Sequence, residues 1–217
     1  MRRRLHGKGT LIFRKRRNPM QQLDFFQRRP ADQKELQALT LRESTSPGYR
    51  QRTLDNAQGA DLTVAFAVDF STAGERLTRS AAGPRYCAVD FGIDAGAAAF
   101  SILRVLPRSP APRLNLAGNG VHTLKRHGIE QVTANQWVWS VLQKVHSTCP
   151  IRLVRSGGQT GIDTAGLVAA LALGIPAVGE FPKRFLRRNA MGKDFTSTAA
   201  DIERELRQAV SRLAPGI

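Results

Sequence analysis

One junction constrains the fold of this chain more than any other feature. Ile151-Arg152-Leu153-Val154-Arg155 is a strand run, Ser156-Gly157-Gly158-Gln159-Thr160-Gly161 is a polar loop with three glycines, and Ile162 to Leu173 is a strongly apolar helix closed by Gly174. A strand that passes straight into a helix must cross over before it meets a parallel neighbour, so the junction specifies a βαβ unit. The glycines let the backbone take positive φ and approach a partner closely.

The same alternation extends over most of the sequence. Leu62 to Val68 is a buried-strand run that ends in the loop Asp69 to Gly74, and a helix is expected from that loop to about Ser80. Tyr86 to Val89 is the second strand, followed by an Ala-rich helix over 94–106, and Pro107 to Pro112 connects to the third strand, Arg113 to Gly118. Residues 133–147 carry Trp137, Val138, Val141, Leu142 and Val145 at helical spacing behind an N-cap at Thr133. Ile151 to Arg155 is the fourth strand, Pro176 to Gly179 begins a short fifth, and 199–213 is an amphipathic helix. These elements predict an α/β fold: a Rossmann-like open parallel sheet of about five strands with helices on both faces. Upstream, 31–42 reads as a helix with loosely periodic leucines, and Pro47-Gly48 marks a turn. Trp137 and Trp139 fall on different helix faces, one expected in the core and the other partly exposed.

Charge separates the chain into two parts. The formal net charge is +16, and residues 1–30 carry ten Lys and Arg against the single acid Asp24. We read 1–45 as a basic, partly disordered arm and 46–217 as the ligand-binding domain. Such an arm attracts polyanions by counterion release, which makes non-specific nucleic acid a candidate partner. No apolar stretch has the length of a membrane span or a signal-peptide core, so a cytoplasmic protein with no membrane partner is expected. Two cysteines, Cys87 and Cys149, are too sparse for a disulfide framework, and the four histidines have no metal-ligand spacing, so no metal site is expected.

In an open parallel sheet, ligands sit at the carboxyl ends of the strands. Three loops qualify. Ser156, Gly157, Gly158, Gln159, Thr160, Gly161 and Asp163 form the first, with hydroxyl donors, close backbone approach and a helix N-terminus for an anion. Asp163 is placed either to cap that helix or to hydrogen-bond a ribose or base, and the loop itself is otherwise a plain strand-to-helix turn. A Gly158→Val change is expected to block an anion while leaving the sheet folded. Ser71, Thr72, Gly74 and Glu75 open the second helix, and Gly118 and Asn119 follow the third strand. Lys183, Arg187 and Arg188 are cations for a phosphate, or else a solvated basic face.

Ser156 to Asp163, with Ala169 to Pro176, Pro182 and Lys183, resembles the molybdenum-cofactor carrier family of the Smf/Lonely-Guy (SLOG) superfamily of Rossmann-like nucleotide-binding proteins. Tyr49 to Asn56, Ala60 to Val64 and Leu114 to Gly118 are similar to further segments of that family. There the SGGQTG loop comes first, whereas here it follows the other segments, so the chain resembles a circular permutation. The resemblance covers roughly 49–195. It implies a nucleotide or the molybdenum cofactor as ligand. A homo-oligomer is expected as the assembled form. Nucleotide-cleaving relatives carry a PGGxGTxxE loop; here the corresponding loop has the single Gly74, followed at once by Glu75.

The expected function is therefore binding, sensing or carrying of a nucleotide or nucleotide-like phosphorylated ligand. Two other classes stay open: a nucleotide N-glycosidase or phosphohydrolase in which Glu75 or Asp163 activates water, and a nucleic-acid-binding accessory protein related to DNA-processing proteins.

Overall fold

The computed structural model describes residues 39–46 and 48–213. Six parallel strands form its sheet: β1 (Leu39–Glu43), β2 (Leu62–Ala67), β3 (Tyr86–Asp90), β4 (Arg113–Gly118), β5 (Leu153–Ser156) and β6 (Ala177–Phe181). Their order is β1-β6-β5-β4-β2-β3, and every neighbouring pair is parallel. The helices are α1 (Tyr49–Gln58), α2 (Ala73–Ala82), α3 (Ala95–Val105), α4 (Val121–Arg126), α5 (Gln131–Thr148), α6 (Ile162–Ala172) and α7 (Ala199–Ser211). A small antiparallel ribbon, β7 (Leu186–Arg188) with β8 (Asp194–Thr196), lies beyond β6. The fold is a Rossmann-like α/β sheet, with six strands where five were expected.

The additional strand is β1. Leu39 to Arg42 falls in the stretch read as helix, yet it pairs with β6, placing Leu41 opposite Gly179. Its two leucines sit two residues apart, the spacing of one strand face, and Thr40, Arg42 and Glu43 are exposed as an edge strand allows. The remainder of that helical reading, the basic arm up to Ala38 and Pro47 of the expected turn lie outside the described residues.

The two faces of the sheet differ. Leu116 of β4 meets α6, where a Cβ on Gly166 would sit 2.9 Å from the Leu116 Cβ, so glycine is what lets the helix lie this close. Leu114, Val154, Val64 and Phe66 are fully buried, as are Val138, Leu142 and Val145 of α5. Each such side chain contributes roughly 1.5–3 kcal/mol relative to exposure. The alternating residues face the other way: Asn115 pairs in register with Arg155, and a Cβ on Gly59 at the end of α1 would meet the Arg155 guanidinium at 2.8 Å. The α1 and α2 side of the sheet is therefore polar, with Thr63, Asn115 and the Arg155–Glu180 ion pair (2.8 Å) upon it.

Helix starts follow local chemistry. Thr72 caps α2, Asp94 caps α3 and Thr198 caps α7, each through its side-chain oxygen. The expected cap at Thr133 is not used: α5 begins earlier, at Gln131. Gln131 Nε2 donates to Asn135 Oδ1 at 2.8 Å and to the Gly161 carbonyl at 2.9 Å, and its Oε1 accepts from the Gly161 N–H at 2.7 Å. These bonds draw the start of the helix back to the Gly-rich loop. Trp139 is buried, and Trp137 packs edge-on against Phe66 with ring centroids 5.2 Å apart. Among the described residues, no helix is long and apolar enough to cross a membrane.

β2 crosses over to β3 at one edge, whereas β4 leads the chain back towards β5 and β6. The loops after β2 and β4 thus leave adjacent strands in opposite directions, which opens a crevice at their carboxyl ends.

Candidate functional site

That crevice is a cleft of about 510 Å³. It is lined by the start of α2 (Thr72, Ala73, Gly74, Glu75), by Gly118 and Asn119 after β4, by Gly157, Gln159, Thr160 and Asp163, and by Tyr49, Arg52 and Asn56 of α1. All three loops singled out in the sequence reach it. Ser71, Ser156, Gly158, Gly161 and Lys183 do not contribute to its lining.

The glycines of the Ser156–Asp163 loop make room for protein. A Cβ on Gly157 would lie 1.4 Å from Arg52 Nη1, and one on Gly158, at φ +69°, would lie 2.2 Å from Phe181 Cζ. At Gly161, φ is +93° and a Cβ would meet the Asn119 carbonyl at 2.4 Å. The loop's donors are largely spent internally as well. The Ser156 hydroxyl donates to the Asp163 carbonyl at 3.0 Å, the Gln159 N–H to Asp163 Oδ2 at 3.2 Å and the Ile162 N–H to the Asn119 carbonyl at 3.1 Å. Gln159 also holds the ribbon: its Nε2 donates to the Leu186 carbonyl at 2.9 Å and its Oε1 accepts from the Arg188 N–H at 3.1 Å.

Asp163 does not occupy the cap position of α6, which is Gly161. Its carboxylate accepts instead from Arg52 Nη1 at 3.2 Å, forming an ion pair with both side chains about nine-tenths buried. Burial pushes the Asp163 carboxyl up, and Arg52 with the Gln159 N–H opposes that rise.

The α2 end of the cleft is more open to a ligand. Thr72 Oγ1 accepts from the Glu75 N–H at 3.2 Å, and the Thr72 carbonyl accepts from the Arg76 N–H at 3.1 Å. Ala73 and Gly74, whose N–H groups precede the first intrahelical bond, line the cleft beside the positive end of the helix dipole. Glu75 follows, only 3% exposed; its Oε1 accepts from Asn119 Nδ2 at 3.5 Å and its Oε2 has no partner among the described residues. Burial, then the Asp163 and Asp69 charges, push its carboxyl up to about 8, so it is protonated at neutral pH. Asn119 is a structural pin: its Oδ1 accepts from the Val68 and Asp69 N–H groups at 2.8 and 3.0 Å, and its Nδ2 donates to the Asp69 carbonyl at 2.9 Å.

No protein-family profile, curated protein or solved structure matches this chain. The site therefore rests on its own geometry. Of the three cations read after β6, Lys183 is exposed and away from the cleft. Arg187 is 2% exposed and bonded to Glu205 at 2.6 and 2.9 Å and to Thr164 at 3.1 Å, which commits it to joining α6 and α7. Arg188 lines the cleft, with its Nε 2.7 Å from Asp194 Oδ1. Sequence reasoning missed Arg52, Asn56 and Tyr49 of α1, Asn115 of β4 and His122 of α4. Arg52 and Asn56, one helical turn apart, carried the usable signal: a helix whose inward residues are polar faces something other than core. Among the described residues, no group of three or more His, Cys, Asp or Glu gathers as a metal centre.

Proposed function

We propose that the protein binds a nucleotide or nucleotide-like phosphorylated ligand in this cleft, as a binding, sensing or carrying protein. The observation that carries the reading is the convergence of three strand-to-helix loops, from β2, β4 and β5, around one cleft that also receives Arg52 and Arg188. The start of α2 suits the phosphate, because the free Ala73 and Gly74 N–H groups and the helix dipole both favour an anion. The Gly157 loop contributes by letting Arg52 reach the cleft. Nucleotides and the molybdenum cofactor both fall within this ligand class.

Gly74→Asp tests it. A Cβ at Gly74 meets nothing within 4 Å, and an acid in the first turn of a helix is favourable, so the variant keeps its fold. Its carboxylate would oppose a phosphate at the same spot. In calorimetry with AMP and ribose 5-phosphate, the variant is expected to lose at least tenfold in affinity. Unchanged affinity would remove the phosphate from the α2 terminus.

Glu75 favours a second reading, nucleotide hydrolysis. A buried carboxyl with an elevated pKa in a cleft is suited to donating a proton to a leaving group near neutral pH. On this reading Glu75 acts as general acid and does not activate water. Turnover of AMP that disappears in Glu75→Gln would support it.

A further inference from the structure

We infer that the cleft is divided in two: its mouth takes the phosphate, and its floor, between α1 and α2 over the sheet, takes the uncharged, hydroxyl-rich sugar end of the ligand. This rests on the reading of the cleft as a phosphorylated-ligand site. The floor is formed by side chains whose polar atoms are shielded from bulk water and have no partner among the described residues: Arg52 Nε, both amide atoms of Asn56, Glu75 Oε2 and Asn115 Oδ1. Asn56 and Asn115 are each 2% exposed, and both line the cleft. Buried polar atoms are almost always hydrogen-bonded, because leaving one unpaired costs about 1–3 kcal/mol. Several such atoms on side chains that line one cleft mark a surface completed by something that enters it.

The chemistry of these atoms narrows the occupant. Asn56 offers one acceptor and two donors, Arg52 Nε a donor and Asn115 Oδ1 an acceptor, with the Asn115 amide held by Nδ2 donating to Thr63 Oγ1 at 3.3 Å. Hydroxyls both donate and accept, so adjacent hydroxyls satisfy this mixed set. The set also contains no unpaired ion, since the Arg52 charge is met by Asp163 and Glu75 is protonated at neutral pH. A second charged group is therefore not called for on the floor. A heteroaromatic base would need a flat partner to stack upon. Among the described residues of the lining, Tyr49 is the only Phe, Tyr or Trp, and its ring is engaged by the Arg52 and Arg188 guanidiniums, 5.4 and 5.8 Å from its centroid.

Calorimetry on the full chain with inorganic phosphate, ribose 5-phosphate and AMP tests the division. Ribose 5-phosphate is expected to bind at least tenfold more tightly than phosphate. Asn56→Leu and Asn115→Leu keep the number of side-chain heavy atoms; the first removes polar atoms that lack partners, so its thermal midpoint should hold or rise, whereas the second also gives up the Nδ2 bond to Thr63 Oγ1 and should lower the midpoint slightly. Each is expected to weaken ribose 5-phosphate by about fivefold, the scale of one uncharged hydrogen bond, and to leave phosphate affinity unchanged. If phosphate and ribose 5-phosphate bind equally, the floor is not a sugar site, although the anion reading survives. An AMP advantage over ribose 5-phosphate that either variant abolishes would assign the floor to the base and overturn the inference. Binding of none of the three would overturn the phosphorylated-ligand reading itself, and this inference with it.

Discussion

Arg52 of α1 and Asp163 of α6 stand 111 residues apart in sequence and meet at 3.2 Å over Gly157, where a single added Cβ would collide with the guanidinium. The pair fastens the α1 side of the sheet to the start of the helix that packs on its opposite side. Removing one partner of a buried ion pair leaves an uncompensated charge, which costs about 3–5 kcal/mol. Arg52→Met is therefore expected to lose stability on that scale in urea unfolding at pH 7. The deficit should shrink as pH falls, because the abandoned Asp163 carboxyl can then take up a proton. A pH-independent deficit would mean that the arginine contributes by packing alone.

Glu75 makes stability depend on pH in a defined direction. Its folded pKa of about 8 lies above the ordinary 4.5, so the folded state binds the proton more tightly than the unfolded chain. The associated stability is fully present below 4.5 and is lost as pH rises towards 8, at up to about 1.4 kcal/mol per pH unit. Glu75→Gln should flatten this slope between pH 5 and 8 and exceed the parent protein in stability above pH 8. Parallel stability curves for the two proteins would show that Glu75 is ionised in the folded state.

Gly158→Val is expected to unfold the protein rather than merely block the cleft. The new Cβ would fall 2.2 Å from the ring of Phe181, a core residue, at a φ of +69° that β-branched residues avoid. A loss of more than about 3 kcal/mol is the expected scale of such overpacking plus strain. Gly74→Ala, with open space around its Cβ, should by contrast hold or slightly raise the thermal midpoint. The reverse order in a thermal melt would contradict the packing described.

Ligand binding should be felt on both sides of the switch point. With ribose 5-phosphate present, amide hydrogen exchange is expected to slow at Ala73 to Glu75 and at Gly157 to Thr160 together. Protection confined to one of these loops would show that the cleft does not act as one site.

Much of this architecture is legible in the sequence, and the parts that are not share a cause. β2 is a run of six fully buried residues and α6 is apolar on nearly every side, so periodicity and composition identify both. β1 escaped because an edge strand needs only one weakly apolar face, and Leu39 and Leu41 supply no more than that. The Leu186–Arg188 ribbon is three residues wide, too short for any period to register. In α1, the buried residues are Arg52, Asn56 and Ala57, so it lacks the apolar stripe by which a helix is recognised. The loops of the cleft could be read from glycines at strand ends. Arg52 shows in the sequence only as a polar residue one helical turn from Asn56; its pairing with Asp163 is a long-range contact that no local pattern encodes. The glycines of the Ser156–Asp163 loop suggested an approaching ligand, and what approaches Gly157, Gly158 and Gly161 most closely is the protein's own Arg52, Phe181 and Asn119.

The alternation along β4 has a further consequence. Leu114 and Leu116 point into the helix-covered core, and Asn115 between them points to the polar side where α1 and α2 stand. On the proposed reading, folding and recognition draw on alternate residues of one strand, which face opposite sides of the sheet. On that reading, exchanges at Asn115 or Asn56, which line the cleft, would alter what it accepts while Leu114 and Leu116 keep their packing. A lineage carrying this sheet would then be free to change ligand by point substitution on one side, with its stability held in reserve on the other.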